Sequence, residues 1–224
     1  MNIILIPYRN REIHLNHYLR FTLPLLEEIM KDVKILVIEQ TNEKPFNRGK
    51  LLNIGFDYMK DIGEYFYTHD VDINPTKKCV EEIYMKELGE NSIMGIFTSK
   101  HKTLGGIIKF KRKVFEKING FPNNFWGGGV EDKALQNRAE YYNVNISKNI
   151  TTSDEKRYKY FLRFDDVNDR EKLDQHKKWY NEYKRFKKLE NKEEYIKSSG
   201  LNTLKYELLN KTKYENVEII IVRI

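Results

Sequence analysis

The sequence contains a single cysteine, Cys79, among its 224 residues. One thiol cannot form a disulfide within the chain, and it cannot supply the paired cysteines of a structural zinc site. No apolar run approaches the roughly 18 residues of a membrane helix, and the N-terminus lacks the long apolar core and cleavage site of a signal peptide. These absences favour a chain without a membrane segment, acting in a reducing cytoplasm.

The formal net charge of +7 raises the question of nucleic-acid binding. Much of the excess lies between Lys156 and Lys197, where lysines alternate with glutamates at the three- and four-residue spacing of a solvated helix face. No nucleic-acid motif accompanies this segment, and only Tyr158 to Arg163 interleaves aromatic and basic residues. A solvated helix face is therefore favoured, an anionic partner is the second interpretation, and no nucleic-acid partner is expected.

The order of elements in the first third of the chain predicts an α/β fold. The apolar runs Ile3 to Pro7 and Val33 to Ile38 flank an amphipathic stretch from Glu12 to Met30, which is a β-α-β pattern. A helix over Arg48 to Met59 and an aromatic strand over Tyr65 to Thr68 repeat it. Strands alternating with helices predict a mostly parallel central sheet with helices on both faces, which binds ligands at the carboxyl ends of its strands.

The rest of the chain continues this pattern with less regularity. We predict a helix over Glu81 to Leu88, a helix over Glu131 to Tyr142, one or two charged helices over Arg170 to Glu194, and a last strand over Val217 to Ile224. Further strands are predicted over Ile93 to Phe97 and Ile107 to Phe110. No linker divides the sequence, so we expect one domain over 1–224, with a nucleotide-binding and catalytic core in 1–146 and a smaller lobe in 147–224.

Two acidic motifs carry chemistry. Asp70 and Asp72 follow the predicted strand at i and i+2, so both carboxylates can face a divalent cation and phosphate oxygens at the sheet edge. Glu131 and Asp132 begin a predicted helix directly after a glycine run and Trp126, whose flat ring suits stacking against a sugar. Acids at strand ends and in the first turn of a helix are also common for structural reasons, and only their combination favours a catalytic site.

These residues belong to a set of motifs that resembles the inverting β-1,4-galactosyltransferases, a GT-A type family that uses manganese and UDP-galactose. The motifs occur in family order along nearly the whole chain. They are IPYRNR (Ile6 to Arg11), FNRGKLLNIGF (Phe46 to Phe56), HDVD (His69 to Asp72), GGI (Gly105 to Ile107), INGFPNNFWGGGVED (Ile118 to Asp132) and SGLNTLKYEL (Ser199 to Leu208). HDVD and GLNTLKY look most like the branch that galactosylates xylose. The resemblance implies a GT-A nucleotide-binding fold.

The resemblance also implies roles for individual residues. Asp132 would be the general base, Glu131 would orient the acceptor, and Asp72 would bind Mn²⁺, with Mg²⁺ as the alternative ion. The residues expected around the UDP-sugar donor are Pro7, Arg9, Arg11, Phe46, Arg48, Asp70, Val71, Thr103, Gly105, Gly106 and Trp126. The family's C-terminal histidine and methionine ligands are absent as such, so Asp165, or His176 as the runner-up, could replace them.

The chain departs from the family pattern W-G-W-G-G-E-D-D, because Gly128 replaces the second tryptophan and Lys133 the second aspartate. Both family residues serve donor closure and acceptor binding, so we expect a changed acceptor. Thr103 stands where the family has a tyrosine against the second carbon of the donor sugar. The smaller side chain predicts room for an N-acetylated sugar.

The leading hypothesis is a metal-dependent inverting transferase that moves a hexose, galactose or an N-acetylhexosamine, from a UDP-sugar to a carbohydrate or glycoprotein hydroxyl. The alternative is a UDP-sugar- or glycan-binding protein that has lost turnover through Gly128 and Lys133. Family members are anchored in the Golgi by an N-terminal membrane helix. Without that helix, we expect a cytoplasm-like compartment or one domain of a larger protein.

Overall fold

The computed structural model describes residues 1–98, 103–127, 129–163 and 176–224. Its strands are, in chain order, β1 (Asn2–Tyr8), β2 (Val33–Gln40), β3 (Tyr65–Thr68), β4 (Ile73–Pro75), β5 (Ser92–Thr98), β6 (Ile107–Lys111), β7 (Asn145–Thr151), β8 (Phe161–Arg163), β9 (Glu207–Tyr214) and β10 (Val217–Arg223).

The helices alternate with these strands over most of the chain. They are α1 (Glu12–His17), α2 (Leu23–Met30), α3 (Arg48–Met59), α4 (Lys77–Cys79), α5 (Arg112–Lys117), α6 (Glu131–Tyr141), α7 (Arg157–Tyr160), α8 (His176–Lys188) and α9 (Lys192–Lys197). Two π-helical segments, Tyr18–Thr22 and Val80–Tyr84, join α1 to α2 and extend α4. Across the described parts of the chain, every helix is too short or too polar to span a bilayer.

Eight strands form the central sheet in the order β7-β5-β6-β3-β1-β2-β10-β9. The pairings β1·β2, β1·β3, β2·β10 and β5·β7 are parallel, and those of β6 with β3 and β5 and of β9 with β10 are antiparallel. Among the described strands, β4 and β8 form a separate two-stranded sheet. The parallel strands β1, β2 and β3 end at one edge, where polar loops follow them, and this confirms the predicted α/β class.

Each face of the sheet covers its own apolar core. On one face Tyr18, Leu26 and Tyr84 from the helices pack against Ile4 and Ile35 of the strands. On the other face α3, α5 and α6 pack against the alternate strand residues, and their contributions include Leu51, Phe56, Phe115 and Leu135. Successive side chains of a strand point to opposite faces, so the near-continuous apolar runs of β1 and β2 supply both cores.

The predicted helix over Glu81 to Leu88 is misplaced by about one turn, because the helical segment instead begins at Lys77 and ends at Tyr84. Thr76 caps it, since its side-chain oxygen accepts a hydrogen bond from the backbone N–H of Cys79. A threonine before a helix is a start signal that the sequence prediction passed over. The helix over Arg48 to Met59 is confirmed at both ends, with Asn47 as its cap.

The segment 147–224, for which the sequence predicts a smaller lobe, takes part in the central sheet at both of its edges. β7 pairs with β5 at one edge, and β10 pairs with β2 toward the other. The antiparallel strand β9 then closes that second edge. The C-terminal strands therefore extend the same sheet that carries the N-terminal strands.

Candidate active site

Polar loops after β1, β2 and β3 meet at the carboxyl edge of the sheet, as ligand-binding loops do in α/β folds. Arg9 follows β1, and its guanidinium donates to the carbonyl of Lys44 at 2.7 Å and lies 5.4 Å from the centre of the Phe46 ring. Arg11 lies two residues on, and its Nη2 is 3.6 Å from Oδ2 of Asp72. The structure thus brings together the predicted groups from the first three strand ends.

Arg48 lies at the centre of this site. Its Nε donates to Oδ1 of Asp70 at 2.7 Å, its Nη2 donates to the carbonyl of Gly106 at 3.1 Å, and its Nη1 lies 3.6 Å from Oε1 of Glu131. Burial by itself would lower the pKa of Arg48, but the carboxylates of Asp70 and Glu131 outweigh burial and raise it. The buried Nη1 has no hydrogen-bond partner, so a donor remains for a ligand oxygen.

The two aspartates of the HDVD motif have different partners. Asp70 is paired with Arg48, whereas Asp72 is only 7% exposed and faces Arg11. A carboxylate supplies the oxygen ligands that hard divalent cations prefer. Asp72 is therefore the described carboxylate that best suits a divalent cation at this edge.

Within the described residues, no group of three or more His, Cys, Asp or Glu side chains could hold a metal ion. One carboxylate together with ligand phosphate oxygens nevertheless fits Mg²⁺ or Mn²⁺, since hard cations of this kind often bind through one or two carboxylates and the substrate's phosphates. Asp165 lies outside the described residues, and so does the side chain of His176, the first residue of α8. Their predicted metal-binding roles stay predictions.

Glu131 and Asp132 form the first turn of α6, which begins after Val130 in a left-handed conformation with φ of 88°. That conformation is unfavourable for a β-branched residue, and such strain is common at functional sites. Burial raises the pKa of Glu131 to about 7, and the charge of Asp132 adds to this while Arg48 opposes it. Glu131 is therefore an acid that changes its charge near neutral pH.

The carboxylate of Asp132 accepts two hydrogen bonds in a fixed orientation. Oδ2 accepts from the hydroxyl of Thr103 at 2.5 Å, and Oδ1 accepts from the backbone N–H of Lys133 at 2.7 Å. A Cβ atom on Gly105 would lie 2.7 Å from Oδ2 of Asp132, so only glycine allows this approach. Thr103 thus contacts the proposed base, and the predicted room for an N-acetylated sugar stays a prediction.

Gly106 completes the loop against the sheet. Its φ is 72°, and a Cβ there would lie 2.6 Å from the carbonyl oxygen of Phe97. Its own carbonyl accepts hydrogen bonds from Arg48 and, at 3.4 Å, from the hydroxyl of Thr68. The glycine pair therefore lies between Asp132 on α6 and Arg48 at the centre of the site.

Trp126 lies beside the loop that carries Phe46. The N–H of Gly127 donates to the carbonyl of Phe46 at 2.7 Å, and Nζ of Lys44 lies 5.6 Å from the centre of the indole ring. Trp126 also packs against Phe125. The aromatic residue expected at the sugar end is thus next to the loop expected at the uridine end.

Three residues of the predicted motifs are buried beneath the site. Pro7 is buried in β1, opposite Ile38 of β2, and Val71 is 7% exposed within one of the two cores. Nε2 of His69 is hydrogen-bonded to the Tyr84 hydroxyl at 2.9 Å, and Nδ1 lies 3.0 Å from the Asp70 carbonyl, which accepts. His69 is fully buried, and burial lowers its pKa to about 4, so it is a core histidine whose ring is held by two hydrogen bonds.

Sequence reasoning missed the residues that brace the loop before Trp126. Arg138 is buried, and it donates to the carbonyls of Asn119 and Gly120 at 2.8 Å each and to that of Ser199. Asn119 and Asn202 exchange hydrogen bonds at 2.8 and 3.0 Å. An arginine in an otherwise apolar helix stripe could have signalled this role.

Comparison with known proteins agrees with this geometry. Residues 1–84 match the family described as the N-terminal region of glycosyl transferase group 7, and residues 94–161 match the N-terminal domain of galactosyltransferase. Human β-1,4-galactosyltransferase 4 is 40% identical over 152 residues, which are 65% of this chain and 44% of that protein. Bovine β-1,4-galactosyltransferase 1 is 32% identical over 218 residues, which are 94% of this chain and 51% of that protein. The chain spans about half the length of these relatives.

A solved structure of Drosophila β-1,4-galactosyltransferase 7, a mutant in complex with manganese, UDP-galactose and xylobiose, has the same fold. Its TM-score is 0.76 at 22% identity, and the match covers 99% of this chain and 93% of that one. The fold is therefore of the GT-A type, as the sequence motifs imply, while the branch within the family stays a prediction. Two consecutive family regions, relatives above 30% identity and a shared fold agree, so the chain belongs to the β-1,4-galactosyltransferase family.

Proposed function

We propose that this protein is a metal-dependent inverting glycosyltransferase. It moves a hexose, either galactose or an N-acetylhexosamine, from a UDP-sugar to a hydroxyl of a carbohydrate or glycoprotein. The observation that carries the proposal is the arrangement around Arg48. Its Nε lies 2.7 Å from Oδ1 of Asp70, and its Nη1 lies 3.6 Å from Oε1 of Glu131. The carboxylates after β3 and the acids of α6 therefore belong to the same site.

The geometry supports a single displacement. Asp132 takes the proton of the acceptor hydroxyl while the acceptor oxygen bonds to the anomeric carbon and the bond from that carbon to the diphosphate breaks. Thr103 and the N–H of Lys133 fix the carboxylate, so the orientation of Asp132 is set before an acceptor binds. Inversion follows from attack on the face opposite the departing UDP.

The leaving diphosphate collects negative charge on the other side of the sugar. We assign the neutralisation of this charge to Arg11, which lies beside Asp72, and to Arg48, whose buried Nη1 has no hydrogen-bond partner. A divalent cation bound at Asp72 would neutralise further charge on the phosphates. In the solved Drosophila neighbour, the complex contains manganese and UDP-galactose, which supports the same donor and metal here.

The alternative, a UDP-sugar- or glycan-binding protein without turnover, is not favoured. Such a protein needs no base, whereas Asp132 is fixed by two hydrogen bonds and by a glycine that admits its carboxylate. The family residues that Gly128 and Lys133 replace serve donor closure and acceptor binding, not metal binding or proton transfer. Their replacement leaves Asp72, Glu131 and Asp132 in place.

The test is a donor screen that measures release of free UDP from UDP-galactose, UDP-N-acetylgalactosamine and UDP-N-acetylglucosamine, with and without Mn²⁺. Asp132→Asn keeps size but cannot take a proton, so kcat should fall by roughly 100-fold or more while donor binding persists. Asp61→Asn, at an exposed aspartate paired with Arg112, is the matched control and should behave as wild type. Wild-type turnover in Asp132→Asn would remove Asp132 as the base.

A further inference from the structure

A patch of aromatic and basic side chains lies beside the proposed base, and we call it the Lys133 patch. Nζ of Lys133 lies 5.1 Å from the ring centre of Tyr180 and 5.9 Å from that of Tyr183, both on α8. These two tyrosines and Trp126 pack against the same pair, Phe125 and Val130. The patch is therefore continuous from α8, across the first turn of α6, to the indole ring of Trp126.

Two lysines lie against aromatic rings of this surface without an ion pair. Among the residues that the structure describes, no carboxylate lies within ion-pair distance of Lys133 or of Lys44, whose Nζ lies 5.6 Å from the centre of the Trp126 ring. Lys50 lies near enough that, after burial, the charge of Lys44 lowers its pKa further. Lys44 and Lys50 are thus neighbouring cations, and an anion close to them would offset their mutual repulsion.

Fold stability does not account for Lys133 at this position. The N-terminal turn of a helix carries a partial positive charge, so a cation there is unfavourable and acids are preferred. The preceding residues Glu131 and Asp132 follow that preference. Lys133 does not follow this preference. Its contacts with the tyrosine rings leave N–H groups of the ammonium available to donate hydrogen bonds.

The combination has a defined recognition chemistry. Aromatic faces pack against the apolar face of a sugar ring, and lysine ammonium groups bind carboxylate, sulfate or phosphate oxygens by charge-assisted hydrogen bonds. We propose that the acceptor is a sugar bearing an anionic group, which Lys133 binds while the reacting hydroxyl lies at Asp132. This inference rests on the proposed function, and it names the acceptor class that the transferase uses.

The test compares acceptors that differ only in charge. Phenyl β-D-glucuronide is paired with phenyl β-D-glucoside, and the 6-sulfate and 6-phosphate of N-acetylglucosamine are paired with N-acetylglucosamine itself. The measured quantity is the ratio of kcat/KM for the anionic member to that for the neutral member. We expect a ratio of roughly 10 or more through a lower KM, since a hydrogen bond between charged groups at a half-exposed site is worth about that factor.

Variants of Lys133 assign the effect to one side chain. Lys133→Gln should bring the ratio close to one, and Lys133→Arg should keep most of it because the charge remains. Lys113→Gln, at an exposed lysine on α5 away from the patch, should leave the ratio and the activity unchanged. Equal thermal unfolding midpoints for the three variants exclude a folding defect. The anionic acceptor with the highest ratio shows whether Lys133 prefers a carboxylate, a sulfate or a phosphate.

A ratio near one in the wild type, or an unchanged ratio in Lys133→Gln, would overturn the inference. Failure of the proposed function looks different, because then no acceptor supports UDP release at all. In that case binding of the same sugar pairs is measured by saturation-transfer NMR with UDP and Mn²⁺ present. A preference for the anionic sugar that Lys133→Gln removes would still support the site, and equal binding would refute it.

Discussion

The charge of Glu131 is set by its burial, by Asp132 beside it and by Arg48 opposite it. A carboxyl with a pKa of about 7 in the folded protein and an ordinary value of 4.5 takes up a proton on folding between these two pH values. Its buried charge therefore destabilises the fold as the pH rises through this window. Below pH 4.5 the carboxyl is neutral in both states and contributes nothing.

Glu131→Gln removes the ionisable carboxyl and therefore the destabilisation that grows with pH. We expect the variant to become more stable than wild type as the pH increases from about 5 to about 8. Its free energy of unfolding should exceed the wild-type value by a margin that grows over this range. Thermal unfolding at constant ionic strength across this range measures it. Glu87→Gln, at an exposed glutamate, should give a difference that does not change with pH. Parallel curves for Glu131→Gln would show that Glu131 is ionised throughout the range.

The hydroxyl of Thr103 donates to Asp132, the proposed base. Thr103→Val keeps the volume and removes that hydrogen bond, so we expect kcat to fall by roughly 10-fold with little change in donor binding. Thr103→Ser restores the hydroxyl and should recover most of the rate. Steady-state kinetics of the two variants decides this, and equal rates for valine and serine would assign Thr103 to packing alone.

At the scale of elements, α6 is held to the C-terminal part of the chain by a buried guanidinium. Arg138 joins the carbonyls of Asn119 and Gly120, before Trp126, to that of Ser199, before the turn Leu201–Thr203. Burial lowers the pKa of Arg138 to about 9. The arginine thus fixes the loop that leads to the base from both sides.

Arg138→Ala leaves a cavity and removes a donor from three carbonyls. We expect the free energy of unfolding to fall by about 3 kcal/mol, because each buried polar group that loses its partner costs on the order of 1 kcal/mol or more. Urea denaturation measures the change. Arg112→Ala removes a surface arginine with ion pairs to Asp61 and Glu116, and should cost less than about 1 kcal/mol. Equal losses in both variants would contradict the bracing role.

At the scale of the whole molecule, the sheet places Asp72 and two arginines at one edge without a full set of metal ligands among the described residues. We therefore expect Mn²⁺ alone to raise the unfolding midpoint little, and Mn²⁺ with UDP-galactose to raise it by several degrees. Asp72→Asn should abolish the increment that depends on metal. A large shift with Mn²⁺ alone would mean that the chain supplies a complete site by itself.

Local sequence patterns were enough to predict the first strands and helices of the fold. Apolar runs and helical spacing predict β1, β2 and α3 within a residue or two, because burial follows from local periodicity. The roles of Asp72, Glu131 and Asp132 follow from the family resemblance, with which their carboxylate chemistry agrees, and they stay predictions.

Which of these side chains meet depends on contacts between residues that are far apart in the sequence. The pairing of Arg48 with Asp70 and Glu131 joins residues 22 and more positions apart, and the bond from Thr103 to Asp132 spans 29. The brace from Arg138 to Ser199 spans 61. Such contacts depend on the order of strands in the sheet and on helix packing, which no local pattern encodes. Local periodicity therefore predicts individual strands and helices, and the order of the strands determines which charged groups and hydrogen-bond partners meet at the site.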